Sequence, residues 1–451
     1  MHPALRLRSL DKLEKAIVDA LAKGKTGMSQ GDVIAQIGGR ASQATVSRAM
    51  ARLIQSGIIQ KSGSTKNASF ALTPDAAWFQ TPPWLRQTVP YDPGRIRGYV
   101  PNVTRWLALE ARDRMAAAAA GVNAALDAST YSREIAERFL IDLSWASSSL
   151  EGNTYDYLST EALLRYGQEA SGHDRVEATM ILNHKHAIST MLESVGQDIF
   201  DTRFTGRMHA LLMRDLISPE DLGRIRANRV QIKGTSYQPE PDGRVIASDL
   251  GSLLWKAGQV EDPFEASFLL LGGISYLQGY VDGNKRTSRL MCSVPLLWRG
   301  LPPMSFIGVD KADYLTGLIV NYELGDTSIL ADTIAAAYEA VAPSYHAAMA
   351  TQRVPRMVEL RERARVERIV QEFVGQAVGG RAPDQAAFVA ARLADLPDDD
   401  REILDRGIDR ILASMTPESA AAWGITAENA DAFIQIRDDE VGNGSEPGPA
   451  P

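Results

Sequence analysis

One segment constrains the fold of this chain more than any other, because Phe264–Leu277 is apolar almost all round. A helix that is apolar on every side is buried in the middle of a helical bundle. The chain has no apolar run of the ~18 residues that a membrane span requires. We therefore expect a mostly α-helical protein that is built around this segment and makes no contact with a membrane.

The location of the protein follows from its cysteine content and its N-terminus. The chain of 451 residues has a single cysteine, Cys292, and so cannot form an internal disulfide. The first residues turn charged too early for the apolar core of a signal peptide. Both features fit a reducing cytoplasm.

A glycine-asparagine turn follows the apolar segment and leads into a basic helix that carries Lys285, Arg286 and Arg289. Glycine and asparagine tolerate tight turns, and such a turn directs backbone N–H groups outward at a helix N-terminus, where anions bind. Arg286 and Arg289 are three apart and share one helix face. The pattern fits a triphosphate, with Asp282 as a Mg²⁺ ligand. The alternative interpretation is a capped loop followed by a helix whose basic face is solvated, because it would have the same spacing.

Three motifs resemble those of the Fic family. Gln278–Arg289 is similar to the signature His-x-Phe-x-(Asp/Glu)-Gly-Asn-Gly-Arg-x-x-Arg. Ser147–Asn153 resembles the inhibitory motif (Ser/Thr)-x-x-x-Glu-(Gly/Asn), and Arg229–Pro239 resembles the flap that aligns a target segment. The resemblance covers roughly residues 80–342, and it implies a Fic helical core over 104–342 with a β-hairpin flap.

The resemblance also implies an activity, the transfer of AMP from ATP to a Ser, Thr or Tyr hydroxyl of a protein. The catalytic positions that it implies are Gln278, Asp282, Asn284 and Arg286, with Mg²⁺ on Asp282. Its nucleotide-binding positions are Gly283, Asn284, Lys285, Arg286 and Arg289. Glu151, on an inhibitory helix at about 132–153, would pair with Arg289 and displace the γ-phosphate. The flap positions Val230, Gln231, Ile232 and Lys233 would hold an extended target by strand addition.

Two positions depart from the family pattern. Gln278 stands where the family has its general-base histidine, and a carboxamide cannot accept the proton of an attacking hydroxyl. General-base catalysis contributes ~10²–10⁴-fold, so transfer should be slow or absent unless another group replaces it. His184, His186 and His209 fit packed or surface residues better than a relocated base. Lys285 replaces a glycine, as in Doc, the Fic relative that phosphorylates its target.

The N-terminal residues 1–74 predict a winged helix-turn-helix. They hold eleven Lys/Arg against four Asp/Glu in a chain whose net charge is −8. Helical spacing predicts three helices within residues 10–74, the third capped by Ser42, and then a two-stranded wing. We expect double-stranded DNA to be bound by Gln43, Thr45, Arg48, Arg52, Lys61 and Lys66, the first three at base edges and the others at phosphates. A dimerisation or target-docking module is the alternative, and a homodimer is a further expectation.

The remaining segments are a Pro/aromatic linker at 75–103, a helical region at 343–437 and a disordered acidic tail at 438–451. Two functional hypotheses stay open. One is an AMP transferase autoinhibited by Glu151. The other is a nucleotide-responsive DNA-binding regulator whose domain has lost its chemistry.

Overall fold

The computed structural model describes residues 2–24, 27–39, 41–64, 67–120, 128–170, 172–194, 199–351, 362–381, 383–420 and 423–443. Its helices are α1 (Pro3–Arg8), α2 (Lys12–Lys23), α3 (Gln30–Gln36), α4 (Gln43–Gln55), α5 (Pro74–Gln80), α6 (Gly94–Arg97), α7 (Leu109–Ala119), α8 (Ala128–Glu151), α9 (Tyr157–Tyr166), α10 (Arg175–Glu193), α11 (Thr202–Met213), α12 (Gly243–Gln259), α13 (Pro263–Leu277), α14 (Asn284–Met291), α15 (Val294–Trp298), α16 (Lys311–Leu324), α17 (Ser328–Thr351), α18 (Arg363–Val378), α19 (Gln385–Leu393), α20 (Asp398–Ala413), α21 (Pro417–Ala420) and α22 (Ala427–Asn443). The strands are β1 (Ile59–Ser62), β2 (Ser69–Leu72), β3 (Val89–Pro90) and β4 (Tyr237–Gln238).

The central helix is α13, as its sequence predicts. Every residue from Phe264 to Leu277 is buried, and the apolar side chains of α7, α8, α10, α12, α16 and α17 join the same core. Asp262 caps its N-terminus through bonds from the backbone amides of Phe264 and Glu265. No helix among the described residues is long and apolar enough to cross a membrane.

The N-terminal residues contain the predicted elements in the predicted order. Helices α2, α3 and α4 precede an antiparallel pair in which β1 lies beside β2. Ser42 is confirmed as the N-cap of α4, because its side chain accepts a hydrogen bond from the amide of Thr45. These elements enclose a core of their own that includes Ile17, Val46 and Leu53.

The segment 75–103 is more ordered than a linker. It contains α5, a 3₁₀ turn at Pro83–Leu85, β3 and α6, and it buries Tyr91, Ile96 and Tyr99 in the central core. Its prolines interrupt helical periodicity, so the sequence pattern did not predict these short elements.

The flap at Arg229–Pro239 does not form the expected hairpin. Val230–Lys233 has no strand assignment, and β4 pairs with β3 in parallel rather than with a second arm of the flap. The buried Arg226 donates hydrogen bonds to the carbonyls of Asn228 (2.7 Å) and Glu240 (2.6 Å). The ends of the segment are thus held by a side chain instead of by cross-strand pairs.

The C-terminal helices α18 to α22 enclose a separate apolar core that includes Val370, Phe373 and Leu404. Helix α22 continues to Asn443, so the prediction of a disordered tail from residue 438 is wrong for residues 438–443. The rest of that tail lies outside the described residues.

Candidate functional site

The loop between α13 and α14 depends on two residues with positive φ. Gln278, the C-cap of α13, has φ 49°, and Gly283, the N-cap of α14, has φ 74°. A Cβ on Gly283 would lie 2.5 Å from the sulfur of Met213. Only glycine meets both requirements, the left-handed backbone and the close approach.

Asn284 holds this loop together from inside. Its Oδ1 accepts the amide of Tyr280 at 2.8 Å, and its Nδ2 donates to the carbonyl of Tyr280 at 2.8 Å and to Oε1 of Gln278 at 3.3 Å. No side chain caps the N-terminus of α14. The first turn of this helix therefore presents backbone N–H groups to a cavity, which favours an anion there.

His209 supports the loop from beneath and was not predicted to do so. Its ring stacks on Tyr280 with centroids 3.9 Å apart. Nε2 donates to the carbonyl of Asp282 at 3.0 Å, and Nδ1 accepts the amide of Gly223 at 3.0 Å. Burial lowers the pKa of His209 to about 4. With both nitrogens engaged, this histidine is a support for the loop and not a base.

Arg289 lies fully buried below the loop, where four acceptors surround its guanidinium, one of them the hydroxyl of Tyr314 at 3.5 Å from Nη1. Nη2 donates to Oε1 of Glu151 at 2.7 Å and to the carbonyl of Ser147 at 3.1 Å, and Nε donates to Oγ of Ser147 at 2.9 Å. Nε2 of His184 lies 2.9 Å from the same Oγ, and Nδ1 of His184 donates to the carbonyl of Met180. His184 must therefore accept the Ser147 proton, which leaves a lone pair of Ser147 for Arg289.

Glu151 closes the basic end of the site. Its Oε2 lies 3.1 Å from Nζ of Lys285 while Oε1 bonds Arg289. Burial acts to raise the pKa of this carboxyl, but the charges of Arg289 and Lys285 and the bond from Arg289 outweigh burial and lower the pKa to about 2. The carboxylate thus occupies donors that an anion would otherwise use.

Arg286 keeps one donor free. Its Nη2 lies 3.2 Å from Oδ2 of Asp282, whereas Nη1 is buried and has no hydrogen-bond partner among the described residues. A buried N–H without a partner is costly, and it marks a position where a ligand oxygen would be stabilised.

Asp282 has the chemistry of a Mg²⁺ ligand. Its side chain is 67% exposed, and Mg²⁺ in nucleotide sites takes one or two carboxylates together with phosphate oxygens. No cluster of three or more His, Cys, Asp or Glu side chains with metal-binding geometry occurs in the described part of the chain. The residues present fit a metal that arrives with a nucleotide and not one held by protein ligands alone.

Gln278 cannot act as a base, and its side chain is already engaged. Nε2 donates to the carbonyl of Ser275 at 2.6 Å, and Oε1 accepts from Asn284. Burial lowers the pKa of His184 to about 3, so neither this histidine nor His209 takes up a proton near neutral pH. The expectation that these two histidines are packing residues is confirmed.

The flap residues Val230–Lys233 line one wall of a cavity of about 230 Å³. The opposite walls carry Glu151, Gln278 and the loop Val281–Arg286. The predicted nucleotide and flap positions are therefore brought together, apart from Arg289, which lies beneath the wall.

The residues expected to contact DNA differ in exposure and in whether their charges are already paired. Gln43 and Arg48 on α4 and Lys61 on β1 are exposed, and Thr45 is half-buried. Arg52 instead pairs within the protein, with Nε 2.9 Å from Glu14 and Nη2 3.1 Å from Asp11. Its charge is already compensated, which makes Arg52 a poorer phosphate ligand than predicted. Lys66 lies outside the described residues.

Residues 199–296 match the model of the Fic/DOC family. The chain is similar to the protein adenylyltransferase fic-1 of Caenorhabditis briggsae, with 26% identity over 208 residues, which is 45% of this chain and 40% of the relative. It is similar to the protein adenylyltransferase Fic of Nematostella vectensis, with 27% identity over 179 residues, which is 37% of this chain and 40% of the relative. The matched region thus spans about two fifths of the length of these curated relatives.

Among solved structures, the chain has a match to a fragment of Fic-1 from C. elegans, with 17% identity and a TM-score of 0.44, covering 78% of this chain and 89% of that one. A Fic family protein from Desulfovibrio desulfuricans has 18% identity and a TM-score of 0.46, covering 68% of this chain and 86% of that one.

Proposed function

We propose, from the Fic/DOC family domain in residues 199–296, that this protein binds ATP at the α13–α14 loop and transfers AMP to a hydroxyl group of another protein. The target hydroxyl attacks the α-phosphorus and a new O–P bond forms, while the bond from the α-phosphorus to the α–β bridging oxygen breaks and pyrophosphate leaves. The hydroxyl proton passes to solvent water, because the carboxamide of Gln278 cannot accept it. Asp282 would hold Mg²⁺, which supplies charge stabilisation to the phosphates. Glu151 keeps the site inhibited.

The observation that carries this proposal is the pairing of opposite charges at the basic end of the cavity. Glu151 is shared by Lys285 and Arg289, while Nη1 of Arg286 has no partner. A carboxylate that occupies two phosphate donors both competes with an outer phosphate and repels it. This contact would oppose the binding of the outer phosphates of a triphosphate, and it supports an inhibitory role for Glu151.

The target would lie along Val230–Lys233. Because this segment lacks cross-strand partners, an extended peptide could pair with its backbone, and backbone bonds demand little of the target sequence. The walls of the cavity would then bring a target hydroxyl close to the nucleotide. The missing base at Gln278 limits the rate, so positioning and electrostatic stabilisation must supply most of the catalysis.

The test is labelling by the Glu151→Gly variant with Mg²⁺ and ATP that carries ³²P at either the α- or the γ-phosphate. Label from the α-position, on the protein itself or on a lysate protein, supports AMP transfer. Label from the γ-position alone would indicate transfer of the γ-phosphate, which is the reaction of Doc, the relative that Lys285 resembles. The absence of α-label from every protein would refute the transferase.

The control for this labelling is the same variant with Arg289→Ala added. It removes a guanidinium that should contact the outer phosphates once Glu151 is gone. Label that persists undiminished in the double variant would come from another site or from a contaminant.

A second candidate function is a nucleotide-responsive DNA-binding regulator. It is favoured by the exposure of Gln43, Arg48 and Lys61 on one basic unit, and by Gln278, which lines the cavity where the family has its general-base histidine. Fluorescence anisotropy with labelled duplexes, with and without ATP, tests it. Replacing Lys61 and Lys66 by alanine should weaken binding about equally for all sequences, since phosphate contacts carry no sequence information. Unchanged affinity would exclude the wing as a phosphate contact.

A further inference from the structure

Glu323, near the C-terminus of α16, is a buried carboxylate on which four hydrogen-bond donors converge. Its side chain has 0% exposure. Oε1 accepts from Oγ1 of Thr235 at 2.6 Å and from the amide of Ser236 at 2.7 Å. Oε2 accepts from Nη1 of Arg86 at 2.9 Å and from Nε1 of Trp78. An ionised carboxylate has about four acceptor positions, so the group is fully used.

The four donors belong to two segments far apart in the sequence. Thr235 and Ser236 lie in the flap, directly before β4, whereas Trp78 and Arg86 belong to the segment that runs from α5 to β3. The same two segments also bond each other. The amide of Val89 donates to the carbonyl of Ser236 at 3.1 Å, which is part of the β3–β4 pair. Glu323 thus closes a junction that a short parallel pair alone would hold weakly.

The junction continues into the N-terminal unit, residues 1–74. Helix α5 begins two residues after β2 and packs against it and against α1. Ala4 of α1 and Phe79 of α5 share a small apolar cluster with Val320 of α16, one turn before Glu323. A displacement of the N-terminal unit would therefore also move Trp78 on α5. Because Trp78 bonds Glu323, the displacement would reach the carboxylate that holds the flap.

We propose that Glu323 is a positioning residue that couples the N-terminal unit to the flap. It touches neither the cavity nor the loop that binds the nucleotide, so it sets where the flap lies and takes no part in the chemistry. A partner seated on the N-terminal unit would change the order of the flap through α5. The use of the flap to hold a target rests on the proposed function, whereas the junction itself does not.

The test is hydrogen–deuterium exchange of the full chain, compared for wild type, Glu323→Gln and Trp78→Phe. Trp78→Phe is the milder change, because it keeps an aromatic ring and removes only the N–H donor from the α5 side. In both variants the amides of Ser236 and Val89 should exchange faster, by about tenfold or more for Glu323→Gln, as expected when bonds to a charged group are lost. The amides of α13 should keep their wild-type rates.

The matched control is Glu339→Gln. It removes a glutamate–arginine pair, that of Glu339 with Arg114, from α17 of the same core, and it should leave the flap unchanged. Equal acceleration in the flap and in α13 would mean general destabilisation and would overturn the proposal. So would a flap that exchanges at the wild-type rate in Trp78→Phe. Exchange requires neither nucleotide nor target, so a failure here is distinct from a failure of the labelling experiment.

Discussion

Replacing Glu151 by glutamine should raise the affinity for ATP, and the structure sets the size of the effect. The carboxyl is 17% exposed and its pKa falls from the ordinary 4.5 to about 2. This fall corresponds to roughly 3 kcal/mol of favourable interaction with the surrounding cations. An outer phosphate that displaces the carboxylate must overcome much of that interaction. We expect the Kd for ATP to fall by about 10- to 100-fold in Glu151→Gln.

Isothermal titration calorimetry with ATP and with AMP measures this effect. AMP lacks the outer phosphates that compete with Glu151, so its affinity should change less than that of ATP. Glutamine can still accept a bond from Arg289, which limits the loss of stability, and a thermal melt checks that the variant is folded. Glu161→Gln is the matched control, because it removes a glutamate–arginine pair on α9 at 2.7 Å.

The pH dependence of this effect follows from the same pKa. A carboxyl whose pKa is about 2 in the folded protein stays ionised throughout the range from pH 5 to 8. The ratio of the wild-type Kd to the Glu151→Gln Kd should therefore show no change from the titration of Glu151 over that range. If the folded variant binds ATP within twofold of wild type, Glu151 does not compete with a phosphate and the reasoning fails.

Three further predictions concern the loop and its histidines. Gly283→Ala should lower the free energy of unfolding by about 1–3 kcal/mol through backbone strain and a steric clash. Gly308 has a similar φ of 75° and open space around its Cβ position, so Gly308→Ala should lower the free energy of unfolding by less. Thermal melts compare the two variants, and equal losses of stability would contradict the clash. In the folded protein the pKa values of His184 and His209 are about 3 and about 4, so the unfolded chain binds more protons below pH 6.5. The free energy of unfolding should therefore fall as the pH drops from 6.5 towards 4, by about 2 kcal/mol per histidine at pH 5. Urea unfolding measures this fall, and a flat profile would refute the conclusion that both histidines are buried and neutral. Gln278→His, at a φ that histidine tolerates, should raise the incorporation of α-label by about 10²-fold or more when it is combined with Glu151→Gly. An unchanged rate would mean that another group already accepts the proton.

Local features of the sequence predicted much of the framework. The unbroken apolar pattern of Phe264–Leu277 placed the central helix, because burial on all sides leaves no polar face. Ser42 was confirmed as a cap from its position before an apolar stripe. Gly283 was assigned to a tight turn, and the structure adds the reason, which is the sulfur of Met213 at the position a Cβ would take. In each case the cause lies within a few residues of the effect.

Other features depended on groups that meet only in the folded chain. The flap was expected to be a hairpin, but Arg226 and Glu323 hold its backbone from outside, so no second arm was needed. Arg52 was expected to be free for phosphates and instead pairs with Glu14. Neither outcome has a local signature, because the partner of a charged side chain can lie anywhere in the sequence.

The amino-acid sequence by itself determined which helix is buried, where the loop turns and which side chains offer positive charge to an anion. These properties follow from periodicity and from the backbone preferences of single residues. Only the tertiary structure decided that His184 holds Ser147 against Arg289, and that Trp78 and Ser236 share one carboxylate. A hydrogen bond requires its atoms within about 3 Å, and helical periodicity specifies which face is buried without specifying which polar groups meet there.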